Sequence, residues 1–514
     1  MALSSHSLLL RGAQRALCLV LAAGCLLAPA QAQLPSLGDG NDMGTAAERR
    51  LGERIARELY RDPDFIEDAV LEDYVQSIWQ PLIAAAKQRG ELSPELGERF
   101  AWEILMGRDR SINAFALPGG YLGLHLGLMG VVSTRDELAS VLAHELTHVT
   151  QRHIARLMGQ SSRLAPWAIG AMILGALAAS KSPDAANAMI MGGQAAVAQS
   201  QLNFSRDMER EADRIGYGVM TQAGFDPAGF VTMFGKLQQA SKLNDNGAFP
   251  YLRSHPLTTE RIADMQARQA LLERRAAPAQ PDIVHAMMAA RARVLSNPGP
   301  DRLRSQVAEA QGLAAGSTAE SAPAIWYAGA LAASRLRDAP AALVLADRLR
   351  SGVQADPKAV RLAHLLAAEI AWSAQDAARA QAALAAIPKD QAGRPETMLM
   401  AQIQVRNGQA AQAAQALQAR VALEPRDAVA WQLLSSAYAE QGQTLRAIRA
   451  EAEQQVARLD YTGALDRFKA AQNFARGPQQ SRAPGDHIEA SIIDTRTRQL
   501  ESLVKEQALE RDIN

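Results

Sequence analysis

Apolar residues recur every three to four positions through most of this chain of 514 residues. In residues 44–90 the series begins at Leu51, Ile55 and Leu59, a spacing that places apolar side chains on one face of an α-helix. Thr134–Met158 carries the same period and predicts one long helix. The pattern therefore predicts a mostly α-helical protein.

Residues 102–130 depart from this spacing and predict a small sheet. Ile104–Met106 is a short apolar segment that predicts one strand. Asn113–Leu117 and Tyr121–Leu128 flank the turn sequence Pro118–Gly120, which predicts a strand–turn–strand unit. We therefore expect an α+β region near the start of an otherwise helical chain.

The second half of the chain is rich in alanine, and its sequence pattern is typical of helical repeats. Pro357 and Pro425 lie about two tetratricopeptide periods of ~34 residues apart. The side chains that follow Pro425 match the spacing of that repeat: Trp431, Leu434, Ser435, Tyr438 and Ala447. We predict degenerate tetratricopeptide repeats over 323–476, with an ordinary Ala-rich helical bundle as the alternative.

The composition agrees with helices and argues against a polyanion partner. Apolar residues make up 48% of the chain but aromatic residues only 5%, which favours Ala- and Leu-rich helices over a β-sandwich. Lys and Arg total 54, as do Asp and Glu, and no long run of one sign is present. No nucleic-acid partner is expected. The length predicts two or three domains.

Residues 1–32 predict a cleavable signal peptide and export to the periplasm, with the mature chain starting at Gln33. Three features support this: a basic start, an apolar stretch too short to span a membrane, and an A-x-A cleavage site (Arg11 and Arg15; Ala16–Leu27; Ala30–Ala32). An uncleaved anchor and a lipoprotein at Cys25 are the alternatives. Cys18 and Cys25 both lie in this leader, so a metal in the mature chain would be held by His and carboxylates.

Residues 164–198 contain two nearly apolar stretches, 164–179 and 185–198. The first is shorter than the roughly 20 residues that a bilayer needs, and Pro166 lies near its start. A buried or membrane-touching helical hairpin is predicted rather than a span. Peripheral contact with a membrane therefore stays open.

The strongest chemical signal is the H-E-x-x-H sequence His144–His148 within a predicted helix. Residues four apart share a helix face, so both imidazoles can bind one cation. Glu145 is close enough to reach a zinc-bound water without being a ligand. His153 is nine positions after His144, half a turn around the helix, so we expect it to point away from the metal.

A catalytic zinc needs a third protein ligand, and the best candidates lie in Met208–Asp213. Glu209 and Asp213 are four apart, so Glu209 could bind the metal while Asp213 accepts the N–H of a liganding histidine. Glu211 should face elsewhere on the helix. A solvated charged face is the alternative interpretation.

The segments His144–His148, Glu209–Asp213 and Asn113–Tyr121 together resemble the gluzincin metallopeptidase family that includes HtpX and the CAAX prenyl protease. The resemblance implies a zincin-like α+β protease domain with one Zn²⁺ per subunit. It implies His144, His148 and Glu209 as ligands, Glu145 as general base and Asp213 as support for a ligand. In zincins, a strand such as Asn113–Leu117 pairs with the extended substrate.

His255 follows the loop sequence Asn244–Gly247 and is a further candidate site residue. It is a candidate transition-state stabiliser, or a fourth ligand that keeps the enzyme latent. A purely structural histidine is the alternative. The predicted organisation is a signal peptide (1–32), a zinc protease domain (33–276), a helical linker (277–322), the repeats (323–476) and a C-terminal helical tail (477–514).

With the export signal and the repeats, the resemblance implies a periplasmic endopeptidase in outer-membrane protein quality control. Its expected substrates are unfolded or misassembled outer-membrane proteins, and its expected partner, bound through the repeats, is the outer-membrane β-barrel assembly machinery. Two other functions stay open. One is a repeat-based chaperone or scaffold with a latent metal site, and the other is a membrane-embedded protease like HtpX.

Overall fold

The computed structural model describes residues 43–160, 206–242, 250–271, 282–296, 298–314, 317, 320–477 and 486–512. All of them belong to one compact unit, Met43–Asn514. The predicted signal peptide, the apolar stretches within 164–198 and the loop Asn244–Gly247 lie outside the described residues.

Three helices precede the sheet: α1 (Thr45–Arg61), α2 (Ala69–Gln88) and α3 (Pro94–Arg99). The Asp68 carboxylate caps α2 by accepting the Leu71 N–H at 2.9 Å. On its inner face α2 buries Ile78, Trp79 and Leu82 completely. These helices follow the periodicity that the sequence shows in this region.

The sheet has three strands, β1 (Glu103–Gly107), β2 (Ala114–Leu117) and β3 (Tyr121–His125), in the order β1-β3-β2. β1 runs parallel to β3, and β2 runs antiparallel to it through the turn Pro118–Gly120. The predicted small sheet with a strand–turn–strand unit is confirmed. The last strand is shorter than predicted, because α4 (Leu126–Val131) begins directly after His125.

Three helices build the candidate site: α5 (Arg135–Thr150), α6 (His153–Gln160) and α7 (Arg206–Gln222). Thr134 caps α5 by accepting the Glu137 N–H at 3.1 Å, and α5 is buried from Glu137 to its end. The single helix predicted over Thr134–Met158 is wrong. Arg152 has a φ of +52°, a left-handed conformation that no α-helix continues through.

Gly216 allows α7 to lie against α5. A Cβ atom on Gly216 would lie 3.1 Å from the backbone carbonyl of Ala143 and 3.2 Å from the amide nitrogen of His144. The missing side chain therefore brings the two helices together at the level of the H-E-x-x-H sequence.

A valine at Gly216 is expected to destabilise the protein by about 1–3 kcal/mol, because the added methyl groups must push α7 away from α5. The matched control is Gly235→Val, since a Cβ on Gly235 meets no atom within 4 Å. Urea unfolding of both variants measures the difference. Equal stability of the two variants would show that the approach at Gly216 is not tight.

The next helices are α8 (Ala228–Lys242), α9 (Pro250–Ser254), α10 (Thr259–Leu271), α11 (Ile283–Leu295) and α12 (Pro300–Gly312). Within the range predicted as a linker, α11 is a core helix, because Met287, Met288 and Ala290 are fully buried. It therefore joins the sheet region to the helices that follow.

The C-terminal half consists of helix after helix: α13 (Ala322–Arg335), α14 (Ala339–Gly352), α15 (Pro357–Ser373), α16 (Ala377–Ala385), α17 (Arg394–Arg406), α18 (Ala410–Leu423), α19 (Ala428–Glu440), α20 (Thr444–Ala457), α21 (Tyr461–Arg476) and α22 (Asp486–Asp512). Aspartates cap several of these helices by accepting a backbone N–H from the first turn: Asp338, Asp356, Asp376, Asp427 and Asp460. The helical content is as predicted, whereas the tetratricopeptide assignment stays a prediction.

Arginines from later in the chain bind carboxylates at and just before the start of α2. The pairs are Arg291–Asp68, Arg361–Asp73, Arg394–Glu72 and Arg458–Glu67. The side of α2 that carries these carboxylates is thus covered by the helical region. In the described part of the chain, no helix combines the length and the apolar character that crossing a bilayer requires.

Candidate metal centre

His144 and His148 lie one turn apart on α5 and point to one place. Their Nε2 atoms are 3.0 Å apart, and each residue is only 1% exposed. This is the arrangement predicted for two imidazoles on one helix face.

Glu209 reaches both histidines from α7. Its Oε2 lies 3.5 Å from His144 Nε2, and its Oε1 lies 3.5 Å from His148 Nε2. One turn further on, Asp213 Oδ1 lies 3.0 Å from the Nδ1 of His144. The structure therefore brings together the ligand candidate and the supporting carboxylate that the sequence suggested.

His255, directly after α9, completes the group. Its Nδ1 lies 3.0 Å from Glu209 Oε1 and 3.3 Å from His144 Nε2. The ring stacks on Tyr251 with centroids 4.6 Å apart and is 1% exposed. His255 is thus a residue of the site, and Tyr251 is a support that the sequence gave no reason to single out.

The donor set suits zinc. One ligand atom from each of His144, His148, Glu209 and His255 can be chosen so that all four lie within 4.8 Å of one another. A tetrahedral site with bonds of ~2.0–2.2 Å needs donors about 3.3 Å apart, close to the separations between His144, His148 and Glu209. Nitrogen and carboxylate oxygen are donors that zinc takes in catalytic sites.

Glu145 lies beside this group and is fully buried. Neither carboxylate oxygen has a hydrogen-bond partner among the described residues, and His255 Nε2 is 3.5 Å from Oε1. Burying a carboxylate that accepts no hydrogen bond costs free energy, so we expect a cation or a polar reactant beside it. This is the position that a general base requires.

The site holds opposite charges at close range. Burial alone would lower the pKa of His144, but the carboxylates of Asp213 and Glu209 outweigh it and raise that pKa to about 10. Burial lowers the pKa of His148 well below its usual value, and the charge of His144 lowers it further. Burial would raise the pKa of Glu209, but His255 and His144 hold it well below its usual range.

Arg261 of α10 is a site residue that sequence analysis missed. Its Nε and Nη2 donate to both oxygens of Asp213 at 2.6 and 2.8 Å, and its Nη1 lies 2.7 Å from Glu209 Oε2. This buried guanidinium outweighs the effect of burial and lowers the pKa of Asp213. One arginine in a charged helix carries no spacing signal, so only the folded structure identifies it.

His153 does not point away from the site, and that prediction is wrong. Because α5 ends at Thr150, the His153 ring turns back, and its Nδ1 lies 2.8 Å from the Nδ1 of His148. Burial lowers the pKa of His153 to about 4. Glu211 faces away from the metal ligands, as predicted, and contacts His153.

The sequence profile of peptidase family M48 matches residues 70–269, which include every residue of the buried group. A relative from Vibrio cholerae is 37% identical over 257 residues, which are 49% of this chain and 51% of the relative. The β-barrel assembly-enhancing protease of Escherichia coli K12 is 33% identical over 241 residues, which are 46% of this chain and 47% of that protein.

The similarity extends to eukaryotic proteins. The mitochondrial metalloendopeptidase OMA1 of Arabidopsis thaliana is 31% identical over 224 residues, which are 43% of this chain and 41% of that protein. The chain spans about half the length of the bacterial relatives that it matches.

Proposed function

We propose that this chain, whose residues 70–269 match the profile of peptidase family M48, is a zinc-dependent endopeptidase of the periplasm. The observation that carries the proposal is the buried group of His144, His148, Glu209 and His255 beside the Glu145 carboxylate, which accepts no hydrogen bond from the described residues. Two histidines and one glutamate are the ligand set of a family of zinc peptidases. We propose one Zn²⁺ per subunit.

Each residue near the metal has a role that follows from its contacts. Bound zinc would polarise the scissile carbonyl and make water acidic near neutral pH. Glu145 takes the proton of the attacking water and delivers it to the leaving amine. Asp213 accepts the Nδ1 proton of His144 and fixes that ring, and Arg261 fixes Asp213 in turn.

His255 has two candidate roles in this scheme. Its Nδ1 lies within the ligand group, where it can occupy a fourth position and hold the enzyme latent. Its Nε2 lies near Glu145, where it can donate to the oxyanion once it has moved off the metal position. Both roles require the same buried ring.

An extended peptide has a place to bind beside the site. β2 is an outer strand of the sheet, and within the described residues no strand pairs with its second edge. We propose that substrate adds to this edge, so that its backbone amides pair with β2. Such pairing recognises the backbone of the substrate rather than its side chains, and it therefore suits unfolded substrates.

The substrates and partners are proposed from the relatives. The name of the Escherichia coli protein, β-barrel assembly-enhancing protease, supports a role in outer-membrane protein assembly. We propose that unfolded or misassembled outer-membrane proteins are cleaved, and that the helices from α13 onward dock on the β-barrel assembly machinery. A chaperone function of these helices is part of the same proposal.

The metal content of the full-length mature chain tests the proposal. We expect one zinc per chain in the wild type and loss of stoichiometric zinc in His148→Ala, because that variant keeps only His144 and Glu209 of the three proposed catalytic ligands. The matched control is His364→Ala, since His364 lies among side chains of α14, α15 and α16. Wild-type protein without zinc after exposure to the metal would contradict the proposal.

A further inference from the structure

The backbone between α5 and α6 is bent by a residue held in an unfavourable conformation. Arg152 is not glycine but has a φ of +52°, a left-handed conformation that side chains other than glycine rarely adopt. Its side chain is fixed by Glu48, whose Oε2 lies 2.9 Å from Arg152 Nε, and by the backbone carbonyl of Met43. The bend starts α6 at His153 and directs that ring toward α5.

His153 links a metal-ligand candidate to a carboxylate on α7. Its Nδ1 lies 2.8 Å from His148 Nδ1, and its Nε2 lies 3.1 Å from Glu211 Oε2. Arg156 donates to the same carboxylate oxygen at 2.9 Å. The His153 side chain is completely buried, and the Glu211 side chain is 28% exposed.

The contacts are compatible with one arrangement of protons. His148 directs its Nε2 at the metal position, so that nitrogen is unprotonated in the ligand and the proton sits on Nδ1. His148 then donates to His153 Nδ1, which must be an acceptor. The His153 proton is therefore on Nε2 and is donated to Glu211.

We propose that His153 and Glu211 are positioning residues that orient His148 for zinc, an inference that rests on the proposed function. Both metal-binding imidazoles are then oriented by carboxylates of α7. His144 is oriented directly by Asp213, and His148 is oriented by Glu211 through the His153 ring. Neither His153 nor Glu211 contacts the metal position itself.

Zinc affinity of the full-length chain tests the proposal by competition with a chelator. His153→Leu and Glu211→Gln are each expected to raise the zinc dissociation constant roughly 10- to 100-fold, the range for lost support of a ligand. The double variant is expected to bind about as weakly as His153→Leu alone, because the two residues act in series. His153→Asn is expected to recover most of the affinity, since its amide oxygen can accept the His148 proton.

The control is Asp207→Asn, which removes one carboxylate from the first turn of the same helix at a side chain that is 85% exposed. It should leave the dissociation constant unchanged. A wild-type constant in both His153→Leu and Glu211→Gln would overturn the proposal, as would a His153→Asn variant no tighter than His153→Leu. Should His153→Leu fail to fold without zinc, Glu211→Gln and His153→Asn carry the same test. A wild-type chain that binds no zinc would instead overturn the proposed function.

Discussion

Replacing Glu145 with glutamine is expected to lower peptide hydrolysis about 10²- to 10⁴-fold while zinc stays bound. The amide has nearly the same shape as the carboxylate, so the buried pocket keeps its packing, but it accepts no proton from water. The measurement is turnover of an unstructured protein by the zinc-loaded full-length chain, alongside its zinc content. Glu98→Gln is the matched control, because Glu98 is exposed on α3.

The comparison should be repeated in a His255→Ala background, where a latent wild-type site cannot hide the effect. His255 is buried within the ligand group, and its removal leaves the three other donors in place. Persistent turnover in Glu145→Gln with zinc bound would exclude Glu145 as the base.

The pairing of His144 and His148 could be predicted because the geometry that joins them is local. His144 and His148 are one helical turn apart, and α5 begins at a local cap, Thr134. The sheet was predictable for a similar reason, since Pro118–Gly120 is a turn by composition. Such features need only a few neighbouring residues.

The roles of Glu209 and Asp213 could be predicted only in part from the sequence. Their spacing indicated that they share a helix face, but a charged, solvent-facing helix has the same spacing. The resemblance to a known family is what favoured the metal-ligand interpretation. What buries that face is the approach of α7 to α5 at Gly216, a contact between segments far apart in sequence. The periodicity of a sequence indicates which residues share a face of one helix, but it does not indicate which other helix packs against that face.

The position of His153 was mispredicted because a distant contact determines the backbone. Helical geometry places residue 153 on the far side of α5, and nothing nearby in sequence ends the helix at Thr150. The left-handed Arg152 is held by Glu48, about a hundred residues earlier in the chain. The role of Arg261 could not be predicted for a related reason, since it depends on carboxylates of another helix.

Replacing Arg291 with methionine is expected to destabilise the protein by about 3 kcal/mol, because the partly buried carboxylates of Asp68 and Glu369 lose a buried counterion. Arg291 donates to both oxygens of Asp68 at 2.7 and 2.8 Å and to both oxygens of Glu369 at the same two distances. It thereby joins the cap of α2 to α15. The midpoint of urea unfolding measures the loss, provided that the slope is unchanged.

The matched control is Arg304→Met, whose partner Asp301 is exposed, so its pair should contribute about 0–1 kcal/mol. The loss in Arg291→Met should also depend on pH. Burial raises the pKa of Glu369 even with Arg291 opposing it, so the folded state binds its proton more tightly than the unfolded state. Stability then falls as pH rises, and the destabilisation should be smaller at about pH 5 than at about pH 8. A loss independent of pH and equal to that of Arg304→Met would show that packing, and not the ion pairs of Arg291, joins the start of α2 to α15.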